Sequence, residues 1–559
     1  MVAALMDAAP LCAKTKRTAR RQTKPKTEKT LTAPKASARH AGAVPTMDET
    51  FDSPKHEMRG AWLASVYGID WPSRQGVGEA VAQQQKKELT DILDILEKAG
   101  INAVMFQVRS MSDAMYASSF EPWSQYLTGE RGTAPAAGWD PLEFAVDEAH
   151  RRGMELHAWV NPFRVANGKV PPAALVANGK GKFDPVAKGW TMTYRKGAGK
   201  NQKGTAVCVL DPGNAAARKH IVDVCREIVT RYDVDGLIFD DYFYPDGLPL
   251  GSGYDFNEYK RDIARRKGED RKMSQADWRR DNVARTISEV RDMLDIDAPW
   301  VRFGISPAGV AGGNGEAAAR YGLKAPEVGS DWMYNRIYCD PLRWLADGSV
   351  DYVSPQLYWP SDHETNPYEP LARWWVDVAS RFGRHCFPSQ SVGCLPESDV
   401  AWCEQGYQVG VNRCNSTACD AGSIFYSTAH ITGKKMSGLG DYLSSNCYRY
   451  RALMPPMKWK KADNPGAVKS FSRVGDMLEW TPQDKMRYVV YAIPEGVILL
   501  EALDENGSNF ESQYIIGVTY GKSMAIPPDC LKGYWYAVAP YDRYGNEWDA
   551  AVLETTDKK

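Results

Sequence analysis

The sequence predicts an α/β chain: a (β/α)8 TIM barrel followed by a small C-terminal β-sandwich. Three observations carry this. Short apolar runs alternate with amphipathic stretches eight times between residues 59 and 452. After residue 456 the pattern changes to strict alternation bounded by turn signals. The chain of 559 residues has room for one large barrel and an extra module. An open, doubly wound sheet carries the same βα alternation and is the rival architecture.

The elements follow in order. Residues 59–66 (RGAWLASV) read as a strand. Over 84–99, Leu89, Ile92, Leu93 and Leu96 share one helix face, and Gly100 stops that helix. Residues 101–108 (INAVMFQV) form the second strand. Asp140, Pro141 and Glu143 supply the cap, first-turn proline and third-position acid of a helix over 141–152. Strand 154–160 follows, then helix 214–232, strand 236–240, helix 278–294 and strand 301–306. Asp340-Pro341 opens another helix, before strand 352–357, helix 370–382 and strand 386–390. Helix 400–410, strand 423–427 and helix 440–452 complete eight repeats, so the barrel spans 55–455. The Pro pair of 454–459 (MPPMKW) marks a boundary. Beyond it, 456–559 carry the alternating strands 488–494 and 534–543, a β-sandwich with no catalytic signal and a docking or spacer role. The pairing of Trp480 with the later YAVAPYDRYGN strand resembles a fibronectin type III module.

Charge and composition narrow the class. Residues 1–50 carry a net +6 and the rest a net −7. A near-neutral to acidic body argues against nucleic acid as the main partner. No run of about 18 apolar residues occurs, so no membrane-spanning helix is expected. Residues 2–13 look like the tail of a signal peptide, and 14–45 read as a solvated basic tether. That places the protein outside the cytoplasm: periplasmic, attached to the cell envelope, or secreted. Eleven Cys imply no disulfide framework, although Cys386/Cys394 and Cys403/Cys414/Cys419 are near neighbours that export would allow to pair. The 18 Trp, 28 Tyr and 15 Phe suit flat sugar-binding surfaces as well as a ring-rich core.

Active sites of (β/α)8 barrels sit at the C-terminal strand ends. The second strand ends near Arg109, the third at Trp159 and Asn161, the fourth at Asp240, Asp241 and Tyr242, the sixth at Gln356, Tyr358 and Trp359. Asp240, Asp241 and Tyr358 are the candidate catalytic residues. Arg109, Asn161, Trp159, Tyr242, Gln356 and Trp359 are the candidate sugar-binding residues. Each has a plainer reading: Arg109 pairs with a carboxylate, Asn161 before Pro162 forms a turn, and a Tyr or Trp rims the core. Side chains alternate along a strand, so Asp240 and Asp241 cannot both face the pocket without a bend. The same rule favours Tyr358, which shares a face with Gln356, over Trp359. Sugar-bond cleavage needs a protonated acid near the leaving oxygen, and a carboxyl among aromatic rings has the raised pKa that suits it. There is no H-E-x-x-H, no zinc-spaced Cys/His cluster, no phosphate loop and no G-x-S-x-G elbow, so no metal or cofactor is expected. Residues 197–200 (GAGK) read as exposed loop.

Taken together, 59–71 (RGAWLASVYGIDW), 107–113 (QVRSMSD), 121–124 (EPWS), 139–144 (WDPLEF), 149–164 (AHRRGMELHAWVNPFR), 235–245 (DGLIFDDYFYP) and 351–360 (DYVSPQLYWP) resemble the glycosyl-hydrolase-like 10 family. These are exported bacterial (β/α)8 proteins. The resemblance covers about residues 55–455. It implies a glycoside hydrolase acting on a bacterial polysaccharide, such as the glycan strands of peptidoglycan. The fourth strand is also similar to the D-G-x-D-x-D-x-E strand of chitinases. Asp235, Gly236 and Asp240 match, while Ile238 replaces an Asp and Tyr242 stands where the acid Glu would be. This likeness suggests an oxazolinium route in which Asp240 and Tyr358 hold an N-acetyl group. An amylase-like route would make Asp240 the nucleophile. The functional alternative is a non-catalytic carbohydrate-binding surface protein on a degenerate barrel; a deacetylase would need metal ligands that the sequence lacks.

Overall fold

In the computed structural model the described residues are 53–553, except 169–174, 177–181, 196–205, 252, 311–314, 328–329, 392, 394, 396–398, 417–419, 505–506 and 508. The expected leader and tether, the 197–200 loop, Cys394 and Cys419 lie outside them. Cys386 and Cys414 are free thiols.

A curled, wholly parallel sheet of ten segments forms the centre. Its strands are β1 (Glu57–Leu63), β2 (Ala103–Arg109), β3 (Glu155–Val160), β4 (Gly236–Phe239) and β5 (Arg302–Ile305), with β8 (Ala421–Tyr426) last. Between them, β6 (Tyr352–Val353 and Gln356–Leu357) and β7 (His385–Cys386 and Ser389–Ser391) are each split in two. The sequence pattern predicts each as one run. Pro355 and Pro388 sit at the breaks, where a missing N–H interrupts the ladder. Consecutive strands pair in order, and β8 pairs back onto β1 through Glu57 opposite Ala421. The sheet is TIM-barrel-like.

Helices cover its outside: α1 (Glu79–Lys98), α2 (Pro141–Arg151), α3 (Ala215–Arg231), α4 (Gln275–Asp297), α5 (Pro341–Ala346), α6 (Tyr368–Arg381) and α7 (Asp399–Asn415). The α2 cap forms as its sequence requires: the Asp140 carboxylate accepts from Leu142 N and Glu143 N at 3.1 and 3.2 Å. The expected helix 440–452 does not run its length. One turn (Leu439–Tyr442) passes into a π-turn (Leu443–Cys447) and then irregular chain. Side chains take the carbonyls that a helix would need: Arg413 bonds Cys447 O, Arg59 bonds Tyr450 O and Asn102 bonds Ala452 O.

The interior is filled by Met58, Trp62, Met105, Trp159, Ile238, Tyr352, Phe387 and Ile424. Glycine opposite a ring makes the fit. A Cβ at Gly304 would lie 2.1 Å from the Tyr352 ring, and one at Gly236 would lie 2.4 Å from His157. The segment after β3, to which the sequence pattern assigns no element, holds a three-stranded antiparallel sheet (Arg164–Asn167, Thr191–Arg195, Ala206–Leu210).

Two antiparallel sheets form the C-terminal module: β9 (Lys469–Val474), β10 (Met477–Thr481) and β13 (Ser523–Ala525) in one. The other holds β11 (Arg487–Pro494), β12 (Ile515–Thr519), β14 (Tyr534–Tyr541) and β15 (Ala551–Leu553). The module packs on the N-terminal end of the barrel. A Cβ at Gly153 would lie 2.3 Å from Val518 O, so the two approach backbone to side-chain-free backbone. No described helix is long and apolar enough to cross a membrane.

Candidate active site

Asp240 follows the last residue of β4 and is 3% exposed. Its Oδ2 accepts from Trp159 Nε1 at 3.0 Å and from Asn161 Nδ2 at 3.2 Å. Among the described residues, its Oδ1 has only the long contact from Tyr242 N, 3.5 Å. Both strong donors come from β3 and the residue beyond it, the strand paired with β4. Trp159 is itself fixed edge-on to Trp62 at 4.8 Å, and Trp62 Nε1 donates to Ser389 Oγ at 2.9 Å.

Burial is the main force on Asp240, pushing its pKa up to about 7. Arg164 pulls down, Asp241 pushes up, and the Trp159 bond pulls down. The group is therefore poised between its two forms near neutral pH, and Oδ1, with the longer contact, is the oxygen able to carry the proton.

Trp62, Trp159, Asp240, Tyr242, Ser306, Gln356, Tyr358 and Tyr426 line one cleft at the C-terminal ends of the strands. About 280 Å³ of empty space, part of it open to solvent, lies among these side chains. Tyr358 stacks on Tyr426 at 5.4 Å and 28°. Burial holds the Tyr358 phenol well above its ordinary pKa, so it stays a proton donor. Gln356 Nε2 donates to Ser306 O at 2.9 Å. The Arg164 guanidinium lies 3.6 Å above the Tyr242 ring.

The structure thus brings Trp159, Asp240, Tyr242, Gln356 and Tyr358 together. Asn161 is fully buried and touches Asp240 from behind, so it positions the acid and does not meet sugar. Asp241 is 3% exposed, turned off the lining, with neither carboxylate oxygen hydrogen-bonded. Trp359 points away from the cleft, packing toward His363 at 6.1 Å. Strand alternation, which favours Tyr358 over Trp359, accounts for this.

Arg109 is a correction. It is 1% exposed, and its five N–H donors go to Glu121 (2.7 and 2.6 Å), Ser112 Oγ and the carbonyls of Asn161 and Pro162. No donor remains for a sugar. Arg109 instead clamps the turn that carries Asn161. Asp235, matched in the chitinase-like strand, is likewise structural: it lies at the opposite end of β4, bonded to His150 and Arg543.

Sequence reasoning missed Trp62, Arg164, Ser306 and Tyr426. Reading the ends of β5 and β8 as closely as those of β4 and β6 finds Ser306 and Tyr426. Trp62, next to last in β1, and Arg164, just past β3, sit in the motifs 59–71 and 149–164.

The glycosyl hydrolase-like 10 family matches over residues 57–392. The chain belongs to that family. It is similar to the glycosyl hydrolase YngK of Bacillus subtilis (strain 168), 33% identical over 521 residues, 89% of this chain and 93% of that one. It is similar to the glycosyl hydrolase DigH of Escherichia coli (strain K12), 36% identical over 353 residues, 60% and 73% of the two chains. Among solved structures, it is similar to the PgaB (BpsB) glycoside hydrolase domain of Bordetella bronchiseptica, at 13% identity and TM-score 0.43, covering 70% of this chain and 99% of that one. The chain is a glycoside hydrolase acting on polysaccharide, which removes the non-catalytic binding protein as the alternative.

Proposed function

We propose that the protein is an exported hydrolase of an amino-sugar polysaccharide, the glycan strands of peptidoglycan stripped of peptide. One observation carries the chemistry: a carboxyl at the C-terminal end of β4, held by two donors on one oxygen, able to hold a proton near neutral pH and facing an aromatic cleft. Asp240 Oδ1 gives its proton to the departing glycosidic oxygen, as the general acid of such reactions must. Trp159 and Tyr242 offer ring faces to the C–H face of the sugar. Tyr358, kept protonated, donates to an acyl oxygen on the sugar, which supports an amino sugar and a substrate-assisted route. Asp241 stands beside Asp240 as the second carboxylate and helps to keep Asp240 protonated.

The choice of peptidoglycan rests on the family resemblance, and export follows from where that polymer lies. The C-terminal module is read as fibronectin type III-like from its paired antiparallel sheets around Trp480 and Tyr488. The test is incubation with purified, peptide-free glycan strands and product masses as readout. Shorter saccharides are the expected result. Intact strands after prolonged incubation, with cleavage of another polysaccharide, would overturn the substrate.

A further inference from the structure

Two tyrosines on the active-site face sit in backbone geometry that disfavours them. Tyr67, in the turn after β1, has φ 57° and ψ 12°, and Tyr254, in the loop after β4, has φ 46°. Left-handed φ is unfavourable for any residue with a Cβ and rare for a bulky one. Both rings are also 45% exposed, so burial does not repay the strain. Each is braced edge-on by a second tyrosine: Tyr67 by Tyr126 at 5.3 Å and 68°, Tyr254 by Tyr194 at 5.7 Å and 75°.

The surrounding chain enforces the first turn. Gln107 Oε1 accepts from Ser65 N and Val66 N, and Asp70 Oδ2 accepts from Ala64 N. Gly68 N closes the turn on Ser65 O at 3.0 Å. Tyr194 OH donates to Gly247 O, anchoring the brace of the second ring to the Asp240 loop. Tyr67 stands in the turn that follows β1, the strand whose Trp62 lines the cleft. Strain that the fold over-determines, beside an active site, points to function. Beyond the cleft lining, half-exposed, rigidly held aromatic faces stand on the loops of β1 and β4.

We infer that Tyr67 and Tyr254 are platforms for the sugars that flank the one at Asp240, so that the enzyme grips the interior of a polysaccharide chain and cleaves within it. This rests on the glycoside hydrolase reading and extends it from the cleft at Asp240 to a chain-binding track. A half-exposed tyrosine face covers the C–H face of a pyranose with little side-chain entropy to lose.

The experiment measures binding with the Asp240→Asn chain, so that turnover does not intervene. The probes are peptide-free glycan strands, separated into long strands and the disaccharide. Tyr67→Gly and Tyr254→Gly are added singly. Glycine adopts left-handed φ freely, so the melting temperature should stay the same or rise. Binding of long strands should weaken by about tenfold for each, while that of the disaccharide holds within twofold. Tyr67→Trp, which keeps a ring, should retain long-strand binding. The inference is overturned if long strands bind unchanged, if both probes weaken alike, if binding and melting temperature fall together, or if neither probe binds. Hydrolysis of the same strands by the wild type is scored separately. Length-dependent binding without hydrolysis would sink the enzymatic reading of this polymer and leave the platforms standing.

Discussion

Replacing Asp240 by Asn should abolish hydrolysis and, above neutral pH, stabilise the fold. The Asn carbonyl can take the place of Oδ2 and keep both donors, Trp159 and Asn161, so the geometry survives. What disappears is the proton and the buried charge. The unfolded carboxyl titrates at 3.8 and the folded one at about 7, raised mainly by burial. Between those values the native state holds a proton that the unfolded chain has released, so wild-type stability falls as pH rises through the window. The contribution is fully present below pH 3.8 and lost by the time pH has passed 7. From pH 5 to pH 7 is two units at about 1.4 kcal/mol each, so the advantage of the Asn variant should widen by about 3 kcal/mol between pH 5 and pH 8. Urea unfolding of both proteins at the two pH values measures this. Turnover of peptide-free glycan should fall by at least 10²-fold, the usual worth of a general acid. Residual activity above about a tenth, or a stability difference that ignores pH, would refute the account of Asp240.

Three further outcomes follow from the same geometry. Tyr358→Phe should lower kcat much more than it raises KM if the phenol holds a reacting acyl group; steady-state kinetics that show a KM change with kcat intact would make Tyr358 a platform. Arg109→Lys cannot reproduce the planar fork on Glu121, so it should unfold at lower urea, by a few kcal/mol, with KM little changed in the folded fraction. Arg487→Met leaves Glu155 buried without its 2.6 Å partner and should cost about 3–5 kcal/mol, while kcat/KM of the protein that remains folded is unaltered, because the pair lies at the far end of the barrel.

The alternation of apolar runs and helix faces was enough to locate the parallel sheet, because each repeat has its own local signal: the period of α1, the Asp140 cap, the glycines after helices. What stayed hidden depends on distant partners. Nothing in 440–452 shows that Arg59, Asn102 and Arg413 will claim its carbonyls, whereas the break in 352–357 does have a local signal, Pro355, which the apolar run around it masks. The site divides the same way. Tyr358 facing inward and Trp359 outward follows from a period of two. Arg109 and Asn161 stand at a strand end as a ligand would, and only their partners reveal that one clamps a turn and the other steadies Asp240.

The two ends of the sheet do different work, and this explains why a module without catalytic residues stays on the chain. The N-terminal end carries Glu57, Glu155, Asp235, Arg302, Asp351 and His385, all buried. Isolated buried charges are costly, and each needs a partner. Glu57 finds Arg59 and Arg413, and these outweigh its burial to hold its pKa down. Four of the others are met from beyond residue 453 as well as from the barrel: Arg487 on Glu155 at 2.6 Å, Arg543 and Tyr520 on Asp235 at 2.9 and 3.0 Å, Pro455 O on Arg302 at 2.9 Å, Trp459 on Asp351 at 2.8 Å. A barrel cut before the module would leave those groups with only their barrel partners, such as His150 on Asp235 and Arg291 on Asp351, and would open its floor to water. The expected spacer is therefore the floor of the barrel. The C-terminal strand ends, relieved of that structural duty, are free to hold a protonated Asp240 and two strained tyrosines, arrangements that weaken a fold and that the sealed end offsets.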